Sequence, residues 1–431
     1  MTEIKLQAAQ QPLNGEIEVP GDKSISHRAV ILGSLAEGTT MVSHFLDGED
    51  CMRTVDAFRA MGVSIDKEGT TLTIKGNGIN TLKEPIEPLY FGNSGTTARL
   101  MFGLLAGLPV FTAVYGDPSL SKRPMDRVGI PLREMGASFH GREEGSYLPL
   151  SIRGKTLKGI NYLLPVKSAQ VKSAILLAGL HADGETKVTE STPTRNHTEN
   201  MLKAFGADLI TDGHTITVTN KKSLTGTDIY VPGDISSAAF FLVAAAIVPG
   251  SELILRNVGL NETRTGIINV LKAMNADIQI LSEEIVGGEL LGDIRIAHRK
   301  LQSTTIEGDV IPRLIDEIPV IALLATQAKG TTIIRDAEEL KVKETDRIAA
   351  VTELLTTLGA KVEATEDGMI IHGETALSGG KVASYDDHRI AMTAVIASLV
   401  AYGEVNLDDA SSIAISYPKF FDDLSKVNNN V

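Results

Sequence analysis

The chain has 431 residues, of which 43% are hydrophobic and 22% charged, a balance that excludes a disordered or membrane-spanning protein. At about 100–200 residues per domain, this length predicts two domains. With 54 acidic against 41 basic residues the net charge is −13, which argues against nucleic acid or an anionic membrane as a partner. An anionic small substrate would therefore need a local cluster of lysine and arginine side chains.

The N-terminal residues carry no signal or transit pattern, so a cytoplasmic location is expected. Cys51 is the only cysteine, which excludes an intrachain disulfide and a cysteine-based metal site. Because no base is identifiable beside it, we interpret Cys51 as a structural thiol near a helix start, with a nucleophile as the alternative. Residues 238–248 form the longest apolar run, and their number predicts a buried helix rather than a membrane span.

One pattern recurs six times along the chain: a short strand, a turn rich in Gly, Pro, Asp or Ser, an apolar helix, and a glycine that leads into another strand. Each copy predicts a small βαβ-like subdomain. The helices are apolar nearly all round and should lie buried beneath the strands. The copies begin, in chain order, at EVPGDKSISHR, FGNSGTTARL, PVKSAQVKSA, YVPGDISSAA, IDEIPVIALL and YDDHRIAMTA.

A second pattern lies between these copies, an amphipathic helix that ends in AMGVSI, EMGASF, AFGADL, AMNADI or TLGAKV. The glycine in most of these phrases suits a left-handed residue that caps the helix and leads into the next strand. Only five such phrases occur, and the strand-like segments EIKLQA and GEIEVP at the N-terminus have no helix before them. We therefore expect the N-terminal strand to complete the sixth unit.

The repeats predict an α/β protein of two domains with three units each. One domain would span residues 20–235, and the other would combine residues 1–19 with 236–431. Two linkers would then cross between the domains. This arrangement suits closure on a ligand bound in an interdomain cleft.

Helix starts carry most of the informative residues, because a turn from a strand into a helix presents backbone N–H groups to an anion. PGDKSISHR places Lys23, Ser24 and Arg28 at one such start. In GNSGTTARL, Gly95 would let a ligand approach the backbone closely. The spacings of a phosphate loop and of a dinucleotide-binding motif are both missing, so neither nucleotide triphosphate hydrolysis nor dinucleotide chemistry is expected.

The other cationic helix starts follow the same pattern. SKRPMDR places Lys122 and Arg123 before Pro124, which is a good first helical residue. Any one such cluster is typical of a solvated surface, whereas six at equivalent turns of a repeat favour an anion-binding site. The remaining motifs contribute Ser168 and Gln170 in KSAQVKS, Arg195 in TRNHTE, Lys343, Glu344 and Arg347 in KETDR, and His388 and Arg389 in DDHR.

Two carboxylates lie among these cations, Asp316 in LIDEIPV and Glu344 in KETDR. A structural interpretation makes Asp316 a helix cap and Glu344 a partner for a neighbouring lysine. A functional interpretation makes them an acid and a base in a basic pocket, where positive neighbours keep both ionised until substrate binds. The residues alone leave both interpretations open.

The motifs PGDKSISHRA, GNSGTTARL, SKRPMDR, KSAQVKSA, TRNHTE, DEIP, VKETDR and DDHR, in that order over the full chain, resemble the 5-enolpyruvylshikimate-3-phosphate (EPSP) synthase family. Several variants resemble its bacterial class II subgroup. The resemblance implies the enolpyruvyl transferase fold, with two inverse α/β-barrel-like domains of three βαβαββ units each. It also implies transfer of the enolpyruvyl group of phosphoenolpyruvate to the 5-hydroxyl of shikimate 3-phosphate, in the biosynthesis of chorismate and aromatic amino acids.

Carried over position by position, the resemblance assigns residues to both substrates. Asp316 would take the proton of the 5-hydroxyl, and Glu344, with Lys23 close by, would protonate the methylene carbon and later deprotonate it. No metal or cofactor is implied, and glyphosate would compete with phosphoenolpyruvate. Shikimate 3-phosphate would be bound by Ser24, Arg28, Ser168, Ala169, Gln170, Arg195, Asp316 and Lys343, and phosphoenolpyruvate by Lys23, Gly95, Arg123, Gln170, Arg347 and Arg389.

Some features depart from this pattern or leave alternatives. A family lysine near the C-terminus is Ile415 here, and whether Lys419 or another group replaces it is left open. A UDP-N-acetylglucosamine enolpyruvyl transferase would normally have Lys-Asn where this chain has Lys23 and Ser24. A non-catalytic anion-binding protein built on the same repeats would not need the two carboxylates. A monomer without a macromolecular partner is expected.

Overall fold

The computed structural model describes residues 3–9, 11–221 and 223–428. The described chain forms two compact units. Unit 1 comprises Met1–Pro20, Pro232–Ile285 and Leu290–Val431. Unit 2 comprises Gly21–Val231 and Val286–Glu289, so most of it is inserted between two parts of unit 1.

Apolar and amphipathic helices alternate in both units. Every residue of the apolar helix Ile235–Ile247 is buried, which confirms the prediction for residues 238–248. No helix within the described ranges is long and apolar enough to cross a membrane. The helices are, in chain order, α1 (Lys23–Leu35), α2 (Glu49–Ala60), α3 (Gly95–Gly107), α4 (Asp126–Glu134), α5 (Arg142–Gly145), α6 (Ala169–Gly179), α7 (His197–Ala204), α8 (Ile235–Ile247), α9 (Gly266–Ala273), α10 (Ile318–Thr326), α11 (Arg347–Thr357), α12 (His388–Ser398) and α13 (Phe420–Asn428).

The strands are short, and those flanking α3, α6, α10 and α12 meet in one small sheet each, whereas those flanking α1 and α8 belong to two different sheets. They are β1 (Ile4–Leu6), β2 (Asn14–Ile17), β3 (Glu37–Ser43), β4 (Ser64–Glu68), β5 (Thr71–Asn77), β6 (Leu89–Tyr90), β7 (Phe111–Tyr115), β8 (Phe139–Gly141), β9 (Tyr147–Arg153), β10 (Asn161–Leu163), β11 (Thr186–Thr189), β12 (Leu209–Asp212), β13 (Thr215–Val218), β14 (Ile229–Tyr230), β15 (Glu252–Gly259), β16 (Asp277–Ile280), β17 (Glu284–Val286), β18 (Glu289–Ala297), β19 (Leu301–Gln302), β20 (Thr305–Ile306), β21 (Ala328–Ile334), β22 (Lys361–Ala364), β23 (Met369–Gly373), β24 (Ser378–Val382) and β25 (Tyr402–Leu407).

The sheets repeat one arrangement. In unit 2 the described strands form the sheets β14-β3-β5-β4, β6-β7-β9-β8 and β10-β11-β13-β12. In each of these sheets the first pair is parallel and the other neighbours are antiparallel. In unit 1, β2-β15-β18-β16 and β19-β21-β23-β22 follow the same rule. The repetition inferred from the sequence is therefore present in the strand order.

The N-terminal strand completes the last sheet of unit 1. β1 pairs antiparallel with β25 in the sheet β1-β25-β24, with Ile4 opposite Leu407, which confirms the expectation for the sixth unit. The second N-terminal segment goes elsewhere. β2 pairs parallel with β15, because Leu13, Ile17 and Val19 are apolar and fill the core of unit 1.

The amphipathic helices end as predicted. The second residue after the end of each of these five helices has a positive φ: Gly62 (91°), Gly136 (103°), Gly206 (82°), Asn275 (66°) and Gly359 (89°). Glycine has no Cβ to clash in this left-handed conformation, and asparagine tolerates it better than most residues. These caps turn the chain into the strand that follows each helix.

Candidate active site

The first helix of unit 2 begins at the predicted cationic motif. Asp22 caps α1 by accepting a hydrogen bond from the backbone N–H of Ile25 at 2.9 Å. This cap makes Lys23 the first helical residue. The ammonium group of Lys23 forms an ion pair with Asp50 of α2.

Arg28 lies one turn further along α1 and is almost fully buried. Its Nε donates to Thr198 Oγ1 at 2.6 Å and its Nη2 to Ser173 Oγ at 2.7 Å. Its Nη1 donates to the carbonyl of Ser24 at 2.9 Å. These hydroxyl and carbonyl acceptors orient the guanidinium, whose planar fork suits a phosphate group.

The second cationic cluster surrounds the start of α3. A Cβ atom placed on Gly95 would lie 2.9 Å from Arg99 Nη1 and 3.3 Å from Arg123 Nη1. Arg99 in turn donates to Gln170 Oε1 at 2.7 Å. The predicted residues Gly95, Arg123 and Gln170 are thus close together. Sequence reasoning missed Arg99, although its place four residues after Gly95 on one helix face could have indicated it.

Arg123 lies farther from the start of the next helix than the sequence predicts, because α4 begins only at Asp126. Its Nη2 donates to Asn93 Oδ1 at 2.6 Å and to Ser119 Oγ at 3.2 Å. The expectation that Pro124 begins a helix is wrong, since α4 starts at Asp126. The proline ring disfavours a helical residue before it, and Arg123 is extended accordingly.

The start of α6 carries three of the predicted residues. Ser168 caps this helix by accepting the N–H of Val171 at 3.4 Å, so Ala169 and Gln170 are its first two residues. Their backbone N–H groups belong to the free first turn, where an anion is stabilised. Arg195 is half-buried, one residue before the cap position of α7.

Unit 1 contains a buried arginine among carboxylates. Arg347, 1% exposed, bonds Asp387 through Nε at 2.8 Å and Nη2 at 3.1 Å. Its Nη2 also donates to Glu344 at 2.6 Å, and its Nη1 lies 3.4 Å from Asp316. Lys343 lies 3.3 Å from the same oxygen of Asp316. Lys343 and Arg347 therefore both pair with Asp316, the candidate base, and Arg347 also holds Glu344.

The carboxylates around Arg347 stabilise its positive charge. Burial alone would lower the pKa of Arg347, but the carboxylates of Asp387, Glu344 and Asp316 raise it above its ordinary value. The arginine is therefore permanently charged. The helix-cap interpretation of Asp316 is wrong, because Glu317 occupies the cap position of α10. Glu344 forms an ion pair with this arginine at 2.6 Å.

Asp387 fixes two arginines and was not singled out in the sequence. It caps α12 by accepting the N–H of Arg389 at 2.9 Å while it holds Arg347 in a two-bond contact. The Arg389 guanidinium lies 4.0 Å from Glu317. The position of Asp387 directly before His388 was the available signal, since aspartate is a preferred helix cap.

Cys51, Ile415 and Lys419 were also considered in the sequence analysis. Cys51 is fully buried in α2, as expected of a structural thiol. Ile415 is half-buried, and Lys419 is exposed just before α13. Among the described residues no three His, Cys, Asp or Glu side chains are grouped as a metal site.

The architecture defines the class of protein. A solved structure of EPSP synthase from Acinetobacter baumannii matches this fold with a TM-score of 0.88 at 46% identity, covering 99% of this chain and 98% of that one. A second structure of that enzyme matches with the same TM-score at 45% identity. The predicted fold class is confirmed, and the chain has the enolpyruvyl transferase fold.

The family follows from the sequence comparisons. A family model described as EPSP synthase (3-phosphoshikimate 1-carboxyvinyltransferase) matches residues 7–424. The 3-phosphoshikimate 1-carboxyvinyltransferase of Oceanobacillus iheyensis is 62% identical over 427 residues, covering 99% of this chain and all of its own. That of Bacillus cytotoxicus is 58% identical over 97% of this chain. The chain belongs to the EPSP synthase family, which confirms the resemblance.

Proposed function

We propose that the chain transfers the enolpyruvyl group of phosphoenolpyruvate to the 5-hydroxyl of shikimate 3-phosphate, releasing phosphate. The observation that carries this proposal is the setting of Asp316, a buried carboxylate between Lys343 and Arg347. Two cations keep such a group ionised, and an ionised carboxylate can accept a proton. Family membership supplies the identity of the two substrates.

The proposed binding residues come from both units. In unit 2, hydroxyl-held and amide-held arginines would bind the phosphate and carboxylate groups with their planar forks. In unit 1, Asp316 and Lys343 would contact the acceptor, and Arg347 and Arg389 would contact phosphoenolpyruvate. The unit 2 residues proposed for shikimate 3-phosphate are Ser24, Arg28, Ser168, Ala169, Gln170 and Arg195, and those proposed for phosphoenolpyruvate are Lys23, Gly95, Arg123 and Gln170.

The chemistry would be an addition followed by an elimination. Asp316 takes the 5-hydroxyl proton as that oxygen attacks C2 of phosphoenolpyruvate. Glu344, with Lys23, delivers a proton to the methylene carbon and gives a tetrahedral adduct. Removal of one proton from the resulting methyl group then expels phosphate and restores the double bond. Glu344 can serve in both directions because a carboxyl group that donates a proton in the first step is a base in the second.

The test is a phosphate-release assay with phosphoenolpyruvate and one of two acceptors. We expect phosphate release with shikimate 3-phosphate and none with UDP-N-acetylglucosamine. Release with the second acceptor alone would overturn the proposed substrate. Absence of release with either would favour a non-catalytic anion-binding protein, and calorimetric titration with shikimate 3-phosphate would then show whether binding remains.

We also propose that the protein acts as a monomer in the cytoplasm. The proposed residues all belong to one chain, so no second copy is needed to supply them. Sedimentation velocity with and without both substrates tests the monomer, and a mass of two chains in either condition would contradict it.

A further inference from the structure

Unit 2 contains a fully buried lysine on the helix that begins with residues proposed to bind shikimate 3-phosphate. Lys172 is in α6, four residues after the cap Ser168, and none of its surface is exposed. Lysine is almost never fully buried unless its charge is paired, because an unpaired ammonium loses its hydration. The partners of Lys172 therefore indicate what holds it there.

Lys172 joins three segments of unit 2. Its Nζ lies 2.8 Å from Glu190 Oε2, just after β11, and 2.7 Å from Glu199 Oε1 in the first turn of α7. It also lies 3.3 Å from the carbonyl oxygen of Thr194. One ammonium group thus connects α6, the end of β11 and the start of α7.

The same cluster closes the loop of residues 190–196. The second oxygen of Glu190 accepts the backbone N–H of Thr194 at 3.1 Å and also the Thr194 hydroxyl. Thr194 is buried, and Arg195 follows it directly. The residue directly before Arg195 is therefore held through its carbonyl oxygen by Lys172 and through its N–H and hydroxyl by Glu190.

The neighbours of these charged residues hold the second proposed phosphate ligand. Ser173 and Thr198, each adjacent in sequence to a member of the cluster, share a hydrogen bond of 2.7 Å. Both accept hydrogen bonds from Arg28. The contact between α6 and α7 therefore aligns Arg28 and Arg195 with the helix start at Ser168.

Stability is a poor explanation for the cluster. Replacing a buried ion pair or triad by uncharged residues of similar volume is often neutral or stabilising, because burial costs the charges their hydration. Glu199 Oε2 is in addition buried with no hydrogen-bond partner among the described residues, which lowers stability further. A role in fixing geometry remains.

We propose that Lys172 is a positioning residue for shikimate 3-phosphate, an inference that rests on the proposed function. It holds loop 190–196 against α6 so that Arg195 meets the same phosphate-bearing substrate as Ser168 and Arg28. A misplacement of about 1 Å in a binding group can cost on the order of 10²-fold. Loss of Lys172 should therefore weaken the binding of shikimate 3-phosphate and leave the binding of phosphoenolpyruvate nearly unchanged.

The test uses a variant that removes every charge of the cluster while keeping its volume, Lys172→Met with Glu190→Gln and Glu199→Gln. Lys172→Met alone would leave two buried carboxylates unpaired and could unfold the protein. For the triple variant we expect the KM for shikimate 3-phosphate to rise about 10- to 100-fold, with much smaller changes in kcat and in the KM for phosphoenolpyruvate. Ile175→Val, which removes one buried methylene from the same helix, is the control for mild destabilisation.

A second variant guards against failure of the first to fold. Thr194→Val keeps all charges and removes only the hydroxyl that binds Glu190, so the KM for shikimate 3-phosphate should rise severalfold. Unchanged acceptor KM in a folded variant overturns the positioning role, as does an equal loss in both substrates. A wild-type protein that releases no phosphate overturns the proposed function itself, and this inference with it.

Discussion

Two arginines of unit 2 and the central arginine of unit 1 are held by different kinds of acceptor. In unit 2, Arg28 donates to serine and threonine hydroxyls, and Arg123 donates to an asparagine amide. In unit 1, Arg347 lies among three carboxylates, and Lys343 shares one of them. Hydroxyl and amide acceptors orient a guanidinium, whereas carboxylates also offset its charge and are themselves able to carry protons. The carboxylates Asp316 and Glu344 make unit 1 the proposed source of the proton-transfer groups, while cations of both units are proposed to bind the anionic groups of the substrates.

The largest effect should come from the proton-transfer side. Asp316→Asn keeps the shape of the side chain and removes its basicity, so kcat should fall about 10²- to 10⁴-fold with little loss of shikimate 3-phosphate binding. Steady-state kinetics and calorimetric titration separate the two quantities. The control is Asp293→Asn, which neutralises a carboxylate paired with Arg256 in the β15-β18 sheet of unit 1. A normal kcat for Asp316→Asn would remove this residue from the reaction.

The next effect tests the anion-binding side. Arg28→Met removes a cation and keeps an unbranched side chain, so the KM for shikimate 3-phosphate should rise about 10- to 150-fold, the value of one charged hydrogen bond. Arg59→Met is the matched control, because Arg59 donates to the carbonyl of Ile65, pairs with Asp56 on its own helix and is not among the proposed ligands. If kcat fell by the same factor as kcat/KM, Arg28 would act in the reaction step and not in binding shikimate 3-phosphate.

A smaller effect concerns the start of α3. A methyl group on Gly95 would push against the guanidinium ends of Arg99 and Arg123, which are flexible and can move without disturbing the backbone. Overpacking of about 1–3 kcal/mol in the ligand site corresponds to about 5- to 150-fold in affinity. Gly95→Ala should weaken glyphosate more than it raises the KM for phosphoenolpyruvate, because the inhibitor is longer.

The control for this substitution is Gly129→Ala. A methyl group there meets the guanidinium of Arg133 at 3.1 Å in α4, so the local crowding is similar. Inhibition constants for glyphosate are measured for the wild type and both variants. Equal constants for wild type and Gly95→Ala would show that no ligand approaches this glycine.

The smallest expected effect is a change in thermal stability at acidic pH that depends on His27 of unit 2. His27 is fully buried beside Lys23 and Arg28, and burial followed by these two cations lowers its pKa well below 6.5. The folded protein thus keeps His27 neutral, whereas the unfolded chain takes up a proton below about pH 6.5, so acid favours unfolding. His27→Gln should reduce the fall in the thermal midpoint between pH 7 and pH 5 by about 2–4 °C.

The exposed His140 provides the comparison for this measurement. His140→Gln is the matched control, because it replaces an exposed histidine of the same unit instead of a buried one, and we expect the pH dependence of its midpoint to equal that of the wild type. An identical fall in wild type and His27→Gln would mean that the acid sensitivity arises elsewhere.

The repeat was readable from the sequence because it depends on local patterns. The apolar helix at 238–248 and the left-handed residue at Gly62 follow from composition and spacing alone. The partner of β2 was not readable in this way. A four-residue strand can pair with any exposed edge, and its choice of β15 depends on a core formed by distant parts of the chain.

The sequence singled out candidate site residues in motifs at or near helix starts. Arg28 and Arg347 could be singled out on that basis, whereas Lys172 could not, since it lies in the middle of an apolar helix sequence. Its partners Glu190 and Glu199 are 18 and 27 residues away along the chain. Burial and pairing of a charge are properties of the packed structure, and no spacing rule predicts them.

The insertion of unit 2 into unit 1 bears on the order in which the protein can fold during synthesis. β1 pairs with β25, about 400 residues later. At about 5–20 residues per second, β1 waits roughly 20–80 s for its partner to leave the ribosome. Unit 2 can assemble nearly all of its sheets during that interval. Because β1 has only three residues, Ile4–Leu6, the unpaired edge that waits is too short to be a strong template for aggregation.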